Sequence, residues 1–164
     1  MSDEERIEPR EGQESVWDYP RPPAIVPTDR LVRVELVGGV VAETRRAIRV
    51  LETSQAPAFY VPPDDIDWEH VDGSDGVSFC EWKGQAEYVA VVVGDLRVDD
   101  AGWRYRSPTP AFEVIRDHIA FYPQKVECSV DGERAQPMPG GFYGGWITHE
   151  IVGAFKGAPG SAHW

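Results

Sequence analysis

The punctuation of this chain constrains its fold most. From residue 31 onward short apolar or alternating runs recur, each closed within a few residues by Gly, Pro or Asp. With 16 Gly and 14 Pro in 164 residues, turns are many and long helices few, which favours a β-rich fold. Val32, Val34 and Leu36 alternate with Arg33 and Glu35, and Gly38-Gly39 separates them from Val40-Val41-Ala42, the signature of a hairpin with a glycine turn. Over 45–51 the periodicity fits helix or strand; the run Val50-Leu51-Glu52-Thr53 favours strand. Further strands are expected at 57–61, 68–71, 77–82, 87–93, 103–105, 119–122 and 125–130. Pro62-Pro63-Asp64-Asp65 reads as a turn, Gly73-Ser74-Asp75-Gly76 as a link, and Asp131-Gly132 as a second hairpin turn leading to 133–136. One helix is expected over 111–118, with Thr109 as N-cap, Pro110 at the first position and Glu113 placed for a capping box.

A chain of this length buries a core of its own, and a single β-rich domain over 31–139 is the expected arrangement. Residues 1–14 carry six acids, two arginines and no apolar periodicity, the character of a disordered acidic tail. Residues 15–30 join Trp17 and Tyr19 to a proline-stiffened stretch, which suits an extended arm across the domain, or a linker whose aromatics cover an apolar patch. Residues 140–164 hold seven glycines, and such a stretch packs on a domain because it cannot bury a core alone.

The formal charge of −12 argues against non-specific binding to nucleic acid or anionic membrane, since an acidic surface gains nothing by releasing their counterions. No apolar run approaches the roughly 20 residues of a membrane span, and Met1-Ser2-Asp3-Glu4-Glu5 is acidic where a signal peptide is basic and then apolar. The expected location is the cytoplasm, where Cys80 and Cys128 are expected as reduced thiols.

Three constellations bear on chemistry. The stretch Phe79-Cys80-Glu81-Trp82-Lys83-Gly84-Gln85-Ala86-Glu87-Tyr88 packs a thiol, an amine, a glycine and aromatic rings into one run. On an extended strand Cys80 and Lys83 point to opposite faces, but a bulge or turn at Gly84 brings them together. An ammonium beside a thiol lowers its pKa and produces a nucleophilic thiolate; the plainer reading is a buried small cysteine and a surface lysine. The chain has 13 arginines and only three lysines, and two of these sit in matching settings, Trp82-Lys83-Gly84 and Phe155-Lys156-Gly157, where an aromatic wall can hold a cation. The acids Asp64, Asp65, Asp67, Glu69, Asp72, Asp75 and Glu81, uninterrupted by Lys or Arg, have the chemistry of a magnesium site or of a solvated acidic face. His70, His118, His149 and His163 with the two cysteines show no zinc spacing, so no metal and no cofactor are assigned.

Val50-Leu51-Glu52-Thr53-Ser54, Ala58-Phe59-Tyr60-Val61-Pro62 and Asp64-Asp65-Ile66, with Cys80, Lys83-Gly84, Ala86, Tyr88, Trp103, Tyr105 and Ala120-Phe121-Tyr122, resemble the bacterial family called domain of unknown function 427. The resemblance covers most of 31–130. It implies a β-tent-like fold of twisted antiparallel sheets, similar to the B-type methionine sulfoxide reductases and the ligand-binding domain of cereblon. Those relatives hold zinc through four cysteines, which this chain lacks, so its tent is expected to be held by packing. Two positions depart from the family pattern: Glu81-Trp82 stands where Pro-Tyr is common, and Val89 where Trp follows the tyrosine. The stretches 140–148 and 14–23 resemble extensions of one subgroup. The label of nucleotidyltransferase attached to the family has little support, because Asp65-Ile66-Asp67 precedes Gly73-Ser74 whereas that enzyme pattern has the reverse order.

Together these readings predict a mainly β protein with one short helix, whose concave face gathers Glu52, Tyr60, Tyr88, Cys80, Lys83, Trp103, Tyr105 and Tyr122. An aromatic pocket with few polar groups is the form of a small-molecule site. In an enzyme Cys80 is the nucleophile, Lys83 the electrostatic stabiliser, Glu52 the acid or base, and the glycine-rich C-terminus a lid. In a binding module the same aromatics form a cage for a small cyclic or cationic ligand; in an interaction protein the aromatic arm docks a partner. The expected partner is a small molecule of unknown identity, with no nucleic acid and no membrane, and a homodimer is left open.

Overall fold

The short runs become strands because each alternates or is apolar over a length that only a pleated backbone can bury on one face. In the computed structural model, which describes residues 6–164, eleven strands make two antiparallel sheets. They are β1 (Ala24–Pro27), β2 (Val32–Leu36), β3 (Gly39–Thr44), β4 (Ile48–Leu51), β5 (Ala58–Val61), β6 (Val71–Cys80), β7 (Gly84–Val93), β8 (Leu96–Arg104), β9 (Ile119–Phe121), β10 (Glu127–Val130) and β11 (Glu133–Arg134). The larger sheet has seven strands in the order β1-β4-β5-β9-β8-β7-β6, and the smaller has four in the order β11-β10-β2-β3. The protein is mainly β.

The two faces of the large sheet do different work. Phe59, Val61, Val89, Val91, Ile119 and Phe121 turn to the small sheet and meet Val32, Val34, Val41 and Cys128 in one buried cluster. Trp146, from the C-terminal segment, is fully buried in that cluster; its ring lies 4.7 Å from Phe59, and its indole N–H donates to the Phe121 carbonyl at 2.9 Å. The alternate residues Ile48, Val50, Tyr60, Ala86 and Ala120 point to the opposite face, where Phe112, Ile115 and Tyr105 cover part of them.

Several elements differ in detail from the sequence expectation. The first hairpin turns at Val37-Gly38, one residue before the Gly38-Gly39 pair, with φ of 44° and 83°. Positive φ at both central residues suits the twist of the flanking strands, even though a β-branched valine rarely adopts it. Trp68–His70 is a 3-10 turn capped by the Asp67 carboxylate rather than a strand. The link 73–76 lies inside β6 as a bulge, because Gly73 faces Val89 and Val77 faces Glu87. Strand β8 begins at Leu96, well before the expected 103. The helix expected over 111–118 forms as a shorter 3-10 helix, Pro110–Ile115, with Phe112 out of helical geometry. The capping box is absent: the Thr109 hydroxyl donates instead to the Trp82 carbonyl at 2.6 Å, and Glu113 pairs with Arg116.

Of the tail expected over 1–14, residues 1–5 lie outside the described residues. Residues 6–14 run beside the C-terminal segment: Arg6 pairs with Asp18 at 3.0 Å, the Ile7 N–H donates to the Gly153 carbonyl at 3.1 Å, and Glu14–Ser15 pairs in parallel with Ile151–Val152. In the arm, Ala24–Pro27 is the edge strand β1, and the Trp17 indole donates to the Ala154 carbonyl at 2.8 Å. No helix among the described residues is long and apolar enough to cross a membrane.

Candidate functional site

Register builds the site. Tyr60, Ala120, Trp103 and Tyr88 stand side by side across β5, β9, β8 and β7. Side chains two apart along a strand share a face, so Tyr105 and Tyr122 join the row from Trp103 and Ala120. Ala120 contributes only a methyl between its neighbours, and across it the Trp103 indole N–H donates to the Tyr60 hydroxyl at 3.0 Å, with the rings 86° apart. Trp103 and Tyr122 lie 4.6 Å apart, and Tyr60 and Tyr105 6.5 Å. Above this row is a cavity of about 550 Å³.

The β6–β7 hairpin supplies one wall. Cys80 pairs with Gly84 across a three-residue turn, Glu81-Trp82-Lys83. Gly84 has φ of 106°, a conformation that glycine adopts without steric cost. The turn is fastened from outside by Thr109, whose N–H donates to the Lys83 carbonyl at 3.0 Å. The Lys83 ammonium therefore sits 6.0 Å from the centre of the Tyr105 ring and 5.9 Å from that of Phe112. Cys80 is half-buried and packs against the cluster that holds Tyr60 and Tyr105.

The C-terminal segment supplies the other wall through Phe142, Tyr143, Gly144, Gly145 and Lys156. Close approach requires the two glycines: a Cβ at Gly144 would run into the Trp103 ring, and one at Gly145 into the Ala56 carbonyl. The Lys156 ammonium lies 5.4 Å from the Tyr143 ring and donates to the Trp164 carbonyl oxygen at 3.1 Å.

All eight residues singled out in the sequence, Glu52, Tyr60, Cys80, Lys83, Tyr88, Trp103, Tyr105 and Tyr122, line this one cavity. They do not form a hydrogen-bonded catalytic array. Among the described residues no hydrogen bond or ion pair joins Cys80, Lys83 and Glu52; the Glu52 carboxylate accepts from Gln55 at 2.9 Å and pairs with Arg21 at 3.4 Å. Burial, above all, pushes the Tyr60, Tyr105 and Tyr122 phenols well above their ordinary range; their phenol neighbours add to it at Tyr105 and Tyr122. All three stay neutral hydroxyls near pH 7.

Sequence reasoning missed Phe142 and Tyr143 as wall residues. Its pointers to this segment were the lid expected of the glycine-rich C-terminus and the echo between Phe155-Lys156-Gly157 and Trp82-Lys83-Gly84, whose two lysines reach the same cavity. The acidic run is dispersed. Asp65 accepts from Thr44 and pairs with Arg46, Asp72 pairs with Arg97, and Asp67 caps its own turn. Among the described residues no three His, Cys, Asp or Glu side chains gather as metal ligands do.

Residues 24–132 match the family described as Domain of unknown function (DUF427), more than half of the 164 residues. No curated protein matches the chain.

Proposed function

We propose that this chain, which belongs to the DUF427 family, binds a small molecule in the aromatic cavity between the turn at 81–83 and the segment 142–145. The observation that carries the reading is the cavity, whose volume of about 550 Å³ falls within the roughly 300–1,000 Å³ usual for small-molecule sites. Its floor is a row of rings carried by the sheet, so that part of the site is ordered before a ligand enters. Each favourable ring contact adds about 0.5–1.5 kcal/mol beyond burial, and the neutral phenols offer directional donors.

The test is titration of the isotope-labelled protein with a library of aromatic fragments, followed by NMR. Binders are expected to shift the indole N–H resonances of Trp103 and Trp82, which line the cavity, and to leave that of Trp146, buried in the other core, in place. A library that moves neither cavity indole counts decisively against the reading.

Catalysis is the second reading, favoured by a half-buried Cys80 thiol in the cavity wall. There Cys80 attacks an electrophilic substrate and Lys83 stabilises the developing negative charge. It ranks second because Glu52, the acid or base of that scheme, is already engaged by Arg21 and Gln55. Iodoacetamide is expected to modify one thiol in the folded protein, since burial pushes the Cys128 thiol far up and shields it. Reaction at Cys80 faster than at free N-acetylcysteine near pH 7 supports a nucleophile, and a slower one removes it from the mechanism. Support for a cytoplasmic location is that both cysteines are free thiols.

A further inference from the structure

We infer that the cavity selects oxyanions, taking a carboxylate or phosphate on an aromatic body between Lys83 and Lys156; the inference rests on the binding reading above. The chain has three lysines and 13 arginines, yet two lysines and no arginine line this cavity. Lys83 is half-buried, and its ammonium faces the rings of Tyr105 and Phe112, which hold its charge but accept none of its three N–H donors. Among the described residues it has no hydrogen-bond acceptor and no ion-pair partner.

The carboxylates in the lining do not answer that charge. Glu52 is taken by Arg21 and Gln55, and Glu81 is exposed at the rim. Lys156 spends one donor on a main-chain oxygen of Trp164, which Arg21 also meets at 2.9 Å, and keeps the others. The protonated phenols carry no charge to pair with either ammonium, and the one lining carboxylate outside the Arg21 pair, Glu81, is exposed, so an oxyanion in the cavity would meet both lysines. A lysine presents a compact point charge with rotatable donors rather than a planar fork, so it accepts carboxylate and phosphate alike. Lys83 lies within the family-matched residues 24–132 and Lys156 outside them, so the second cation is a specificity element added by the C-terminal segment.

The experiment compares four probes with one ring system: 2-naphthoate, 2-naphthyl phosphate, 2-naphthylmethanol and 2-naphthylmethylammonium. Each is titrated into the full chain at low salt by calorimetry. The anions are expected to bind about tenfold more tightly than the alcohol, the gain of about one charge-assisted contact. Lys83→Met and Lys156→Met are each expected to lower anion affinity several-fold and leave the alcohol unchanged. The carboxylate and phosphate arms show which oxyanion the site prefers. Should Lys83→Met fail to fold, Lys83→Gln makes the same comparison, with unchanged circular dichroism as its control. Alcohol or ammonium binding as tight as the anions, or an anion preference that survives loss of both lysines, overturns the inference and leaves the binding reading standing. If no probe binds the wild type, this inference falls, and the fragment titration above decides the binding reading.

Discussion

Asp65 shows why single residues in the acidic run behave differently from the run. Its carboxyl is held below the ordinary carboxylate range, first by the Thr44 hydroxyl at 2.6 Å and then by Arg46. The Arg46 side chain is 64% exposed, so solvent screens that pair, and the buried Thr44 carries most of the effect. A folded-state pKa below the unfolded value stabilises the fold at pH above about 4, and that contribution disappears as pH falls through the lower folded value. Asp65→Ala is therefore expected to cost about 1–2 kcal/mol at pH 7. The gap from wild type should close towards pH 2, as measured by urea unfolding at several pH values. A gap that stays constant with pH would assign the loss to packing instead. The partners of Asp65 and Asp72 are Thr44, Arg46 and Arg97, all outside the run, so a charge pattern along the chain cannot reveal them.

Among the elements, the hairpins were the most legible. Asp131-Gly132 turns as its residues predict, with φ of 48° and 83°, and Gly84 takes the positive φ that the Cys-Lys spacing demands. Elements whose form depends on distant partners were misread. Thr109 has the residue type of an N-cap, but its hydroxyl is drawn to the Trp82 carbonyl, so the following segment tightens to 3-10 and fastens the β6–β7 turn. The C-terminal segment lacks apolar periodicity, yet it places Trp146 in the main core. Trp146→Ala is expected to cost about 3–5 kcal/mol, a large share of the roughly 5–15 kcal/mol that stabilises a typical domain. Thermal unfolding followed by circular dichroism measures it. A melting temperature within a degree or two of wild type would show that 142–152 does not belong to the cooperative core. The same variant is expected to loosen the close approach of Gly145 to Ala56 in the cavity wall.

On the scale of the whole molecule, the large sheet has two unlike faces. One face is sealed by the small sheet and Trp146, and the other is left partly uncovered as an aromatic floor. Charge is divided in the same way. A protein of formal charge −12 repels anions at long range, and two of its three lysines stand at the one cavity where the proposal requires short-range attraction. By itself the sequence determined the β class, most of the turns, the family, and the residue types available for a site, because alternation, glycine placement and aromatic content are local properties of a chain. Only the tertiary structure decided that Tyr60, Ala120, Trp103 and Tyr88 form one row, and which residues of the glycine-rich segment expected as a lid, Phe142 to Gly145 with Lys156, stand against it. Strand register and glycine-on-ring packing are agreements between distant parts of the chain, and no stretch of sequence contains both sides of them.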